Sequence, residues 1–86
     1  MNDMELFNAD LAAREAALNC IAARIAAATS TDEVSAAARD LAAELNAAKQ
    51  LAFRNSQWAK HVFPVLDLNV QVYNQGGRRM TELLNG

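Results

Sequence analysis

Alanine constrains this chain more than any other residue. It supplies 19 of the 45 apolar residues in a chain of 86, which leaves 26 larger apolar side chains to build a core. Alanine buries little area but has the highest helix propensity, so the sequence favours long helices over a thick core. A domain of this size buries barely enough surface to offset its chain entropy, and the usual supplements are disulfides, metals or self-association. One cysteine forms no internal disulfide, and one histidine without a cysteine cluster makes no recognisable zinc site. Self-association is the supplement that remains, and a homodimer is expected.

The charge is divided along the chain. Residues 1–48 hold eight acids and three bases, a net of −5, whereas residues 49–86 hold five bases and two acids, a net of +3. Such a split suits antiparallel self-contact or a partner that meets one end only. Asp3, Glu5 and Asp10 stand where a secretory leader would be positive, and no run approaches the ~20 apolar residues of a membrane span. The expectation is a cytoplasmic chain with no membrane partner, and the lone Cys20 agrees with a reducing compartment.

From Asn2 to Ala28 the apolar residues keep a heptad: Met4, Leu11, Leu18 and Ile25 in one row, Phe7 and Ile21 in the other, where Arg14 interrupts. Asn2 with Glu5 three residues on reads as a helix start, and Ser30 with Glu33 reads as a second one. The spacing predicts one helix over 2–28, a tight turn at Ala28-Thr29-Ser30, and a second helix over 31–61 carrying the stripe Val34, Ala38, Leu41, Leu45 and Ala48. Two long helices on a short turn lie antiparallel. A charge in the apolar row is costly unless it snorkels or pairs, so Arg14 either meets an acidic residue of another helix, such as Asp40 or Glu44, or marks an exposed edge of the seam.

Pro64 ends the second helix or opens the next element. Beyond it, Leu66-Asp67-Leu68-Asn69-Val70-Gln71-Val72 alternates with the period of a strand, but a strand would have no ladder partner within the chain. The favoured reading is a short helix over 64–74 with Leu66, Val70 and Tyr73 on one face, stopped by Gly76 and Gly77, followed by a turn or two that packs Met80, Leu83 and Leu84 onto the hairpin. The alternative is residues 65–73 as a strand that pairs across a dimer. The fold class is therefore all-α: one domain over 1–86, an antiparallel helical hairpin of two long helices plus a short C-terminal helical segment.

Reactive groups are scarce. A His61/Cys20 pair has no supporting spacing; Cys20 is expected as an inert buried thiol beside Leu18 and Ile21, and His61 as an answer to the dipole of the second helix. No catalytic, metal or cofactor residues are assigned, and the chain is read as a non-enzyme. The features that remain suit a protein surface. Phe53, Arg54, Gln57, Trp58 and His61 cluster at the far end of the second helix, where Phe53 and Trp58 fall on different sides, so that one of them is exposed or covered by another element. Tyr73 and the pair Arg78 and Arg79 after Gly76-Gly77 add a ring and two guanidinium forks. These eight residues are the candidate partner-binding set.

The expected function is a small protein–protein interaction module, an inhibitor or adaptor that docks on a larger protein partner. In style, without any shared motif, the chain resembles the short acidic helical modulators that phages encode against bacterial host proteins. A self-assembling structural or secretion-apparatus subunit, or its chaperone, is the alternative, although the turn lacks the proline-bearing loop of needle proteins. Nucleic acid binding through the C-terminal basic segment ranks below both, because the acidic first half repels phosphate.

Overall fold

The computed structural model describes residues 2–86, in the order α1 (Asp3–Ala27), α2 (Thr31–Arg54), a 3₁₀ helix (Ser56–Val62) and α3 (Phe63–Asn85). The fold is all-α, with two long helices and a shorter C-terminal one, and no strand occurs among the described residues. The helices run up, down and up, each packed on the other two, in a rod of 50 × 19 × 15 Å.

Both helix starts form as the sequence indicates. The Asn2 side chain accepts the Glu5 amide at 2.8 Å, and Ser30 Oγ accepts the Glu33 amide at 3.2 Å. The Glu33 carboxylate takes the hydroxyls of Thr29 and Ser30 at 3.0 and 3.3 Å, which ties the turn to the first turn of α2. At the end of α1 there is no glycine. Ala28 is extended, at φ −64° and ψ 135°, and its carbonyl is met from the far end of the chain: Arg79 donates to it from Nη2 at 2.6 Å and from Nε at 3.1 Å. A guanidinium fork on α3 therefore does the work of a C-terminal cap for α1.

The second helix does not reach His61. It stops at Arg54, and the cause is Asn55. Its side-chain Nδ2 donates to the Leu51 carbonyl at 2.9 Å, the acceptor its own amide would use in a continuing helix, and that amide turns to Ala52 O at 3.3 Å instead. The tightened 3₁₀ segment follows and carries Trp58 onto Phe7 of α1, with ring centroids 5.4 Å apart and an interplanar angle of 55°.

The third helix exceeds the expected 64–74 and passes through both glycines. Pro64 lies in its first turn, where a missing amide costs nothing, and neither glycine has positive φ. Gly76 sits against α1, where an added Cβ would make an ordinary contact with Ile25 Cδ1 at 3.5 Å, whereas one on Gly77 would meet nothing within 4 Å. Tertiary packing thus outweighs the roughly 1 kcal/mol of helix propensity lost at each glycine. The inward face of α3 is Val65, Asn69 and Val72; of the expected face, Val70 and Tyr73 are exposed and Leu66 is half-buried at the edge of the core.

The core is thin, as the alanine content dictates. Phe7, Leu18, Ile21 and Ile25 of α1 meet Val34, Leu41 and Leu51 of α2 and Val62, Val65 and Val72 from the C-terminal part, while Ala37 and Ala48 are fully buried and let the helices close up. Three polar side chains of α3 fix its register on this smooth surface, each donating to a main-chain carbonyl of a neighbour: Asn69 to Leu41 at 3.3 Å, Gln75 to Ala22 at 3.0 Å, and Arg79 to Ala28. Arg14 meets Glu44, with Nη1 at 3.1 and 2.9 Å from its two carboxylate oxygens, and its Nε lies 3.3 Å from Asp10 of its own helix, while Asp40 pairs with Arg24 at 2.6 Å.

Candidate interaction surfaces

The eight candidate residues fall into three places. Phe53, Arg54, Gln57 and His61 are exposed at one end of the rod, where α2 gives way to the 3₁₀ helix. Phe53 is 75% exposed and points away from the core, because Leu51, two residues earlier, faces inward. Arg54 Nε bonds the Gln50 carbonyl of its own helix at 3.3 Å, and the residue borders a shallow groove of ≈270 Å³ shared with Leu6 and Asp10 of α1. Trp58 belongs to the frame of this end: its ring is half-buried on Phe7, so it holds the surface in place from beneath.

Tyr73 and Arg78 form the second group, on the outside of α3, where they line an open groove of ≈460 Å³ with Gly77 and Glu82. Arg79 stands apart from its neighbour. Its fork is committed to Ala28 O and its Nη1 lies 3.0 Å from Glu82, so only Arg78 of the basic pair is free for a phosphate or carboxylate from outside. That weakens the case for nucleic acid at this segment.

Five exposed apolar residues were not in the candidate set: Met4, Leu6, Phe63, Val70 and Leu84. The last three belong to a pattern that the sequence does carry. Phe63, Val70, Gly77 and Leu84 are spaced by seven, and Leu66, Tyr73 and Met80 fall between them, which gives the 3-4-3-4 rhythm of a helix-pairing seam. This seam lies about 100° around α3 from the core-facing row. It borders α2: an apolar crevice of ≈200 Å³ has Tyr73, Gly77 and Met80 on one wall and Val34 and Ala38 on the other.

Cys20 is exposed, contrary to the expectation of burial, because it follows the inward row of Leu18 and Ile21 on the outer side of α1. It stands 13 residues from Phe7, about 20 Å along α1, whereas His61 lies in the same 3₁₀ helix as the Trp58 that touches Phe7. The fold does not bring the two together. Among the described residues no three of His, Cys, Asp and Glu gather as metal ligands, and no helix is long and apolar enough to cross a membrane. No protein-family model matches the chain, nor does any curated protein or solved structure.

Proposed function

We propose that the chain is a cytoplasmic, non-enzymatic protein–protein interaction module, an inhibitor or adaptor that docks on a larger protein through the end bearing Phe53, Arg54, Gln57 and His61. The observation that supports this most is Phe53, a phenyl ring left 75% in water beside an arginine. An aromatic and an arginine side by side are the usual anchors of a protein interface, and the cost of exposing such a ring is recovered when a partner covers it. The end is also tied down by side-chain contacts. Asn55 fixes the break in α2, and the Trp58–Phe7 contact fixes the segment beyond it, so docking requires little ordering of the backbone.

Affinity capture from the native host, followed by mass spectrometry, identifies the partner. Against it, Phe53→Ala/Arg54→Ala is expected to bind about a hundredfold more weakly while keeping the wild-type circular dichroism, because both side chains lie outside the core. A folded double variant with wild-type affinity removes this end from the reading.

A further inference from the structure

We propose that the outward seam of α3 is an interface with a second copy of this chain, and that the two α3 helices pair antiparallel about a twofold axis near residues 71 and 72. The inference rests on the seam and not on the docking end at Phe53, so either can fail alone.

The apolar content comes first. Phe63 is 58% exposed, Val70 57% and Tyr73 68%, all on one side of one helix and in heptad spacing. Burial of an aromatic side chain covers about 150–250 Å², so the two rings alone leave roughly 250 Å² in water. A chain whose whole surface is 5430 Å², built on so thin a core, presents that face as a continuous strip about 30 Å long.

The sequence of sizes along the strip is its own complement when reversed. With the axis between 71 and 72, Val70 lies against Tyr73 of the second copy, Leu66 against its Gly77, and Phe63 against its Met80. Each pairing sets a larger side chain against a smaller or more flexible one. Gly77 is central to this. Its missing side chain leaves open space beside the apolar crevice between α3 and α2, and the Leu66 and Phe63 side chains of the opposing helix are positioned to enter it. The alanine at 38 on the far wall permits the close approach.

Charge selects the direction. On the flank of the seam away from the core, α3 carries Asp67 in its first half and Arg78 in its second. In an antiparallel pair with this axis, Asp67 stands within about 3 Å, measured along the helix, of the level of the other copy's Arg78, and the contact occurs twice. A parallel pair would turn the flank bearing Asp67 and Arg78 toward the core-side flank of the other copy and leave the two residues about 16 Å apart in level, so neither contact would form. Only the antiparallel arrangement brings the opposite charges together. A foreign partner would have to match both the size order and the charge order, whereas a second copy does so by symmetry.

The test is sedimentation and light scattering of the full chain at about 50 μM, a concentration at which a micromolar self-affinity gives mostly dimer. The wild type is expected to run as a dimer of two 9.3 kDa chains. Val70→Lys, at an exposed position, should give a folded monomer, with self-affinity lowered about a hundredfold. Asp67→Arg and Arg78→Asp should each weaken the dimer several-fold, and the double exchange should restore it. A wild type that is monomeric, or a Val70→Lys protein as dimeric as the wild type, overturns the interface. A monomeric wild type would leave the face to a different protein. A double exchange no better than its singles overturns the antiparallel pairing.

Discussion

Arg79→Ala tests whether a thin alanine core depends on polar contacts from α3. The substitution removes two N–H donors from the Ala28 carbonyl, at 2.6 and 3.1 Å, and a positive charge from the end of α1. Ala28 itself is fully buried. A hydrogen bond with a charged partner contributes about 1.5–3 kcal/mol net. Here both donors share one acceptor and the arginine side chain is 30% exposed, so the pair counts as one such bond at the lower part of that range, about 2 kcal/mol. The charge at the helix end adds about 0.5 kcal/mol. Against the roughly 4–13 kcal/mol of a domain this long, the loss is large, and it corresponds to a fall in Tm of about 10–15 °C. Urea denaturation followed by circular dichroism reads it, on a Val70→Lys background so that self-association does not enter. Arg79→Lys keeps the charge and one donor and should recover about half; Arg78→Ala should stay within about 0.5 kcal/mol of the parent. If Arg79→Ala is no worse than Arg78→Ala, the fork is not a cap and the reasoning fails.

The helix starts and the turn were legible in the sequence because they depend on residues three apart: Asn2 with Glu5, Ser30 with Glu33. Arg14 was legible in part, since a charge in an apolar row is costly unless paired and Asp40 and Glu44 were the acids expected for it; Glu44 is used, together with Asp10 of its own helix, which was not among the expected partners. What was not legible depends on contacts between distant segments. Asn55 ends α2 by a local bond that asparagine forms in many settings, but the break is useful only because Phe7, 51 residues before Trp58, receives that ring. Gly76 and Gly77 read as a stop because glycine is a poor helix former, yet Ile25 and the Ala28 carbonyl hold that stretch against α1. The alternation of residues 66–72 imitated a strand for a related reason. Of the four apolar residues in that run, Val72 is buried, Leu66 and Leu68 are half-buried on either side of the core-facing row, and Val70 is exposed, so a broad helical face and one outward residue together produce a local period of two. The candidate site followed the same division: Phe53 and Tyr73 were found from residue type and are exposed, whereas Phe63 and Leu84 required the heptad to be followed through the glycines.

Two further substitutions separate frame from surface. Trp58→Ala should cost about 2–4 kcal/mol, below the full range for a buried tryptophan because the ring is half-covered, and should lose partner binding only through the fold; a binding defect in a variant as stable as wild type by urea denaturation would make Trp58 a contact residue after all. Gly77→Ala gives opposite signs in the two states. In the Val70→Lys monomer the added methyl meets no atom within 4 Å and the backbone φ is negative, so it should stabilise α3 by about 0.8 kcal/mol. In the wild-type background the same methyl occupies the space assigned to Leu66 of the second copy, so the dimer should dissociate more readily although each bundle is more stable. If monomer stability and dimer affinity rise together in sedimentation and denaturation measurements, Gly77 does not face the opposing helix.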